Sequence, residues 1–250
     1  MSATVTPVIA AKDGAITTVT LAAPGSGNAL DAAMVEALHG IVDAATEDGT
    51  RVLAIEAEGR AFCAGLGLDG LAEESDASLL LRLVRIQLLL EKLWYGPLIS
   101  VSVVRGVAAG AGADLVMATT VRYATAAGSL RFPGSEFGAV LGVRRLAECT
   151  SASFAAEVAA SGRAIDAEEA GRVGIWRLIE DDAEAEVANL ARGITRRSTE
   201  TVAAIQREAA GFRSGPDPMG ALVRSLATRS GLAERVREMN ERRLRARTTA

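Results

Sequence analysis

The sequence predicts an α/β domain whose strands and helices alternate over roughly its first 150 residues and whose last third is helical. Three observations carry this. The run Leu98-Ile-Ser-Val-Ser-Val-Val104 is of the kind buried on both faces in a parallel sheet. Segments with helical spacing separate the strand-like runs, as crossover connections between parallel strands require. From about Ser151 onward helical patterns dominate.

Taken in order, Val8 to Leu21 reads as two strands joined at Asp13-Gly14, a dipeptide suited to a tight hairpin. Between Asp31 and Ala45, Met34, Leu38, Ile41 and Val42 recur at helical spacing, with Asp31 placed as N-cap and His39 on the polar side. A strand over 52–56 follows. Ser78 to Leu93 presents leucine and isoleucine on most sides, the pattern of a helix buried on more than one face. Gly96-Pro97 ends it and leads into the strand at 98–104. Val121–Ala124 reads as another strand, and Gly215-Pro-Asp-Pro218 marks a break before the last helices.

The chain has 250 residues, 49% of them hydrophobic, enough for one large core with a helical appendage. The expected division is a core over 1–190 and a helical region over 191–250. A net charge of −4 supplies no field for nucleic acid, and a small-molecule partner is expected. Cys63 and Cys149 fit neither a disulfide framework nor a zinc site, so no metal is expected and a reducing, cytoplasmic setting is the default. The first eleven residues lack the pattern of a secretory signal, and the apolar runs are too short or too glycine-rich to span a bilayer.

Two turns carry the chemistry. Arg105-Gly-Val-Ala-Ala-Gly-Ala-Gly-Ala-Asp-Leu115 follows the 98–104 strand, and Ala61-Phe-Cys-Ala-Gly-Leu-Gly67 follows the 52–56 strand. Both are built from small residues, which let a substrate approach backbone N–H groups. Close helix–strand packing would demand the same composition. Taken together, two such turns can aim two N–H groups at one oxygen. With Asn28-Ala-Leu30, and with Ser161-Gly-Arg-Ala-Ile-Asp-Ala-Glu-Glu-Ala170 followed by Gly174-Ile175, they make the chain resemble the crotonase superfamily, the enoyl-CoA hydratase/isomerase family.

The resemblance spans nearly the whole chain. It implies a spiral of ββα units with a C-terminal helical region for trimer packing, as a homotrimer or dimer of trimers. Apolar positions over 151–160 and 219–236 would suit such a face. It also implies an acyl-CoA or acyl-carrier thioester as substrate, with coenzyme A present only as part of that substrate and no other cofactor. By motif position the oxyanion donors are the N–H groups of Leu66 and Ala111, and Ala64, Leu66, Gly67, Leu68, Asp69 and Ala111 form the coenzyme A contact. Gly67 replaces the usual aspartate there. Asp114 stands where a catalytic acid is usual, although a carboxylate capping or pairing within its own helix fits the same position.

The second acid departs from the pattern. In Leu130-Arg-Phe-Pro-Gly-Ser-Glu-Phe-Gly138, alignment on Pro133 puts Gly134 at the family's second glutamate, and only a shifted alignment recruits Glu136. The glycine-rich stretch usual after it shortens to Leu141-Gly-Val-Arg-Arg-Leu146. One solitary histidine, distant from the motifs, leaves no Ser-His-Asp or Cys-His system. Cys63 reads as packing, and Trp94 and Tyr95 as core or interface. Arg242 and Arg243 in the basic tail are candidates for coenzyme A phosphates. The expected function is a lyase or isomerase working through a stabilised enolate, with Asp114 as acid/base. A decarboxylase, a C–C bond lyase or hydrolase, and a non-catalytic acyl-CoA-binding homologue remain as alternatives.

Overall fold

Asp13-Gly14 turns the chain as expected. Strands β1 (Val8–Asp13) and β2 (Ile16–Leu21) pair antiparallel from Val8 opposite Leu21 to Asp13 opposite Ile16, with Gly14 at φ +56° in the turn. The computed structural model describes residues 7–180, 182–211, 218–227 and 229–248; the break read at 215–217 lies outside them.

Helix α1 (Ala32–Glu47) starts where Asp31 accepts the Met34 N–H at 2.7 Å. Then come β3 (Val52–Ala57), β4 (Ala61–Cys63) and α2 (Asp76–Tyr95), the last opened by a Ser75–Ser78 capping box. The next unit is β5 (Ile99–Val104), β6 (Val107–Ala109) and α3 (Ala111–Ala118). A third comprises β7 (Val121–Ala124), β8 (Ser129–Arg131), a 3-10 turn at Pro133–Phe137, α4 (Val143–Cys149) and α5 (Ala152–Ser161). The chain continues through β9 (Ala164–Asp166), α6 (Ala167–Arg172), β10 (Arg177–Leu178), α7 (Ala183–Thr195), α8 (Thr199–Gly211), α9 (Pro218–Ala227) and α10 (Leu232–Thr248).

The spiral is visible in the sheet order. One six-stranded sheet runs β1-β2-β3-β5-β7-β10 and one four-stranded sheet runs β4-β6-β8-β9. Each unit therefore places its first strand in the large sheet and its second in the small one. The shared strands β3, β5 and β7 are parallel, as are β4, β6 and β8. Strand β5 is buried from Ser100 onward, and its two serines are matched: Ser102 Oγ lies 3.0 Å from Thr119 Oγ1, and Ser100 Oγ accepts the Thr120 N–H.

Helix α7 packs Ala183, Val187 and Ala191 onto the large sheet. Gln206 of α8 donates to the Leu98 carbonyl and to Thr120 Oγ1. Helices α9 and α10 bring Leu222, Leu226, Val236 and Met239 against Leu79 and Leu83 of α2 and against Phe137. Asp76 accepts the Ala233 N–H at 2.7 Å, and the buried Arg235 donates to the Phe137 carbonyl. These contacts lay the end of the chain across α2 and the 3-10 turn. Of the apolar positions expected on an assembly face, Val223 is exposed, while Val158, Leu222, Leu226 and Val236 are buried.

His39 differs from its expected position. It is buried rather than on a polar face, because α2 packs over that side of α1 and brings the Arg85 carbonyl 3.0 Å from its Nε2. Burial holds its pKa below the usual histidine value.

Candidate active site

The two small-residue turns meet through what their glycines lack. Gly65 has φ +93°, and a Cβ there would stand 2.5 Å from the Ala109 carbonyl oxygen and 3.3 Å from the Ala111 nitrogen. A Cβ on Gly112 would fall 2.4 Å from the Cys63 carbonyl. The two carbonyl contacts, at 2.5 and 2.4 Å, are closer than a real side chain allows, so these glycines let the backbones touch. A parallel bridge pairs Leu30 with Leu66 through the N–H of Leu30 to the Gly65 carbonyl and the N–H of Gly67 to the Leu30 carbonyl. The N–H of Leu66 takes no part in that bridge. Ala111 opens α3, where first-turn N–H groups have no intrahelical partner and carry partial positive charge.

A cavity of about 300 Å³ lies against these turns. Ala64, Leu66, Leu68, Gly110, Ala111 and Asp114 form one side, and Phe132 to Ser135, Phe137 and the 139–141 segment form another. Leu83 of α2, Val143 of α4, Ala156, Ala159 and Ala160 of α5, and Met239 and Arg243 of α10 complete it. The lining is mostly apolar, and among the described residues Asp114 is its one carboxylate. Such a cavity suits a largely apolar ligand whose orientation a few polar groups fix.

Asp114 sits in the first turn of α3 with 2% of its surface exposed, and its Oδ1 has no hydrogen-bond partner. Burial pushes the carboxyl up to about 7, an effect partly opposed by the Arg145 guanidinium. It is therefore neither a helix cap nor the member of a direct ion pair. An acid poised near neutral pH can both take and give a proton there. Gly142 makes room for it: at φ +65°, a Cβ on that residue would overlap Asp114 Oδ1 at 1.5 Å.

The structure brings Ala64, Leu66, Leu68, Ala111 and Asp114 together around this cavity, with Arg243. Gly67 and Asp69 stand outside the lining. Gly67 is pressed onto the α1 N-cap, where an added Cβ would lie 3.1 Å from that of Asp31, and its carbonyl accepts from Arg82. Asp69 is exposed. Glu136 also stands outside; its Oε1 faces Arg131 Nη2 at 3.5 Å, both side chains partly exposed. At Gly134, which does line the cavity, an added Cβ would meet the Ala139 carbonyl at 3.0 Å. Arg242 is exposed, whereas Arg243 is half-buried and contacts Met239 Sδ. The Cys63 thiol is fully buried and pushed up to about 12, which suits packing and not nucleophilic chemistry. Tyr95 borders a neighbouring cavity rather than this one.

Two residues beside Asp114, Gly142 and Arg145, are not marked by the sequence motifs. Gly142 appeared there only as part of a shortened glycine stretch. Arg145 carried no signal, since its burial comes from α2, whose Trp94 ring lies 5.9 Å from the guanidinium. No group of three or more His, Cys, Asp or Glu side chains placed to hold a metal ion occurs among the described residues. No helix among them is long and apolar enough to cross a membrane.

Comparison with known proteins identifies the family. Residues 11–213 match the enoyl-CoA hydratase/isomerase family model. A Rhodobacter capsulatus protein named "Probable enoyl-CoA hydratase" is 35% identical over 185 residues, 70% of this chain and 71% of its own. A Bacillus subtilis protein of the same name is 31% identical over 69% of each chain. Among solved structures, one described as an enoyl-CoA hydratase/isomerase from Bordetella parapertussis superposes with a TM-score of 0.88 at 35% identity, covering 93% of this chain and 98% of its own. The chain belongs to the enoyl-CoA hydratase/isomerase family of the crotonase superfamily.

Proposed function

We propose that the protein acts on an acyl-CoA or acyl-carrier thioester by single-base proton transfer through an enolate. In this reading the N–H groups of Leu66 and Ala111 receive the thioester oxygen as negative charge develops on it, the role that preorganised donors perform best in a water-poor site. Each donor of this kind is worth about 3–4 kcal/mol of barrier. Asp114, as carboxylate, takes the proton from the acyl chain and returns it as the neutral acid. Arg243, at the cavity rim, suits the phosphate end of coenzyme A.

The observation that carries the proposal is Asp114 itself, the one carboxylate among the described residues lining the cavity, buried and with Oδ1 unpartnered. Water addition across a double bond benefits from two acid/base groups acting on one water; moving a proton between two carbons needs one. The lining therefore favours double-bond isomerisation over simple hydration. The assembly we propose is a homotrimer or dimer of trimers in a cytoplasmic setting, for which the exposed Ile205 and Val223 of the C-terminal helices offer apolar contact area.

The test is turnover of enoyl and dienoyl thioesters by the parent and by Asp114→Asn. The expected result is a loss of at least about 100-fold in kcat with thioester binding retained, and a parent rate for deprotonation that rises as pH passes through about 7. A folded Asp114→Asn with full turnover on the parent's own substrate ends the proposal.

A further inference from the structure

Behind the wall formed by Val140, Leu141 and Val143 lies a second cavity of about 380 Å³, and those three residues face both cavities. Arg145 lines the second one; it is 5% exposed, and its Nε and Nη2 have no hydrogen-bond partner. Gln87, also in that lining and 1% exposed, has an unpartnered Oε1. Buried donors and acceptors left unmatched are costly, and a guanidinium more so than a neutral group.

The surrounding charges leave Arg145 available. Glu148 is taken by Arg144 at 2.7 Å, and Glu91 accepts from Gln87 at 2.8 Å. Asp114 lies across Gly142 without reaching hydrogen-bond distance, and at neutral pH it is only partly ionised, so it compensates the guanidinium incompletely. The Trp94 ring covers Arg145 at 5.9 Å. What remains is the Nε/Nη2 edge, whose two parallel N–H groups match the two oxygens of a carboxylate.

We infer that this second cavity binds a carboxylate through Arg145 Nε and Nη2, with Gln87 Oε1 accepting from a hydroxyl, an amide or a water beside it. The carboxylate is either the far end of an acyl chain whose thioester sits at Leu66 and Ala111, or a free small acid. The first source rests on the thioester reading above; the anion site does not.

Calorimetric titration separates these. The probes are succinyl-, glutaryl- and adipoyl-CoA, their chain-matched butyryl-, valeryl- and hexanoyl-CoA, and free succinate and glutarate, each with the parent, Arg145→Gln and Arg145→Lys. The expected result is binding of at least one carboxylated thioester tenfold or more tighter than its chain-matched partner, an advantage lost in Arg145→Gln and partly kept in Arg145→Lys. If Arg145→Gln does not fold, the parent and Arg145→Lys still give the comparison. No advantage, together with Arg145-dependent binding of the free acids, keeps the anion site and assigns it a free acid. Free acids binding while neither thioester series binds keeps the site and removes the thioester reading. No carboxylate advantage and no Arg145-dependent binding of the free acids overturns the inference.

Discussion

The pair of turns at 61–67 and 105–115 and the wall at 133–145 face the same cavity but are built in different ways. The turns work through backbone: Gly65 and Gly112 let two main chains touch, and what they present is N–H groups that tolerate many side chains. Side-chain chemistry enters where the wall meets the end of the second turn: Gly142 makes room for the Asp114 carboxyl, and Arg145 is buried nearby. The first construction survives sequence change wherever glycine and alanine are kept. The second changes its chemistry when a single residue differs, as the resemblance implies for Gly134, which it aligns with the family's second acid.

One added methyl group on each side separates the two constructions. Gly65→Ala forces a Cβ into the Ala109 carbonyl at φ +93°, and Gly142→Ala forces one into Asp114 Oδ1. Gly65→Ala should lose both stability, by about 2 kcal/mol or more from strain and clash, and thioester binding. Gly142→Ala should keep binding and lose turnover, by a factor comparable to Asp114→Asn. Chemical denaturation and calorimetry on the two variants check this, and equal effects on binding would erase the distinction drawn between the regions.

A second effect concerns stability and pH. Asp114 has a folded pKa of about 7 against an ordinary 3.8, so between those values the folded state binds the proton more tightly than the unfolded chain. Stability from this group is therefore lost as pH rises from about 4 through 7, towards a ceiling of about 4 kcal/mol at higher pH. Asp114→Asn should remove that loss: its stability relative to the parent should increase across this window, and denaturant midpoints at a series of pH values measure it. A flat difference would mean that the carboxyl is solvated. Smallest of all, Glu136→Gln should change turnover less than about twofold and stability by less than about 1 kcal/mol, since its partner Arg131 is 3.5 Å away and both are partly exposed. A large drop in turnover would bring Glu136 into the site.

Much of the fold was legible because its signals are local. Asp13-Gly14 marked the hairpin, Asp31 capped α1, and the 98–104 run announced a strand buried in a parallel sheet. Helix α2 proved longer than its apolar core suggested, because Ser75 and Ser78 cap it three residues before the leucine pattern begins. Of the residues assigned from the sequence, Ala64, Leu66, Leu68, Ala111 and Asp114 line the cavity, while Gly67, Asp69 and Glu136 stand outside it. His39 looked polar-facing because one helix gives no information about which helix will cover it.

By itself the sequence determined the family, the order of the elements and the backbone turns, since glycine placement and hydrophobic period act over a few residues. Only the tertiary structure decided the state of the charges. Asp114 is poised near 7 because α3 is buried on all sides, Arg145 is hidden because α2 lays Trp94 over it, and Glu136 turns to Arg131 because the 3-10 turn points it away from the cavity. Desolvation and pairing depend on segments far apart in the chain, and no local pattern records them.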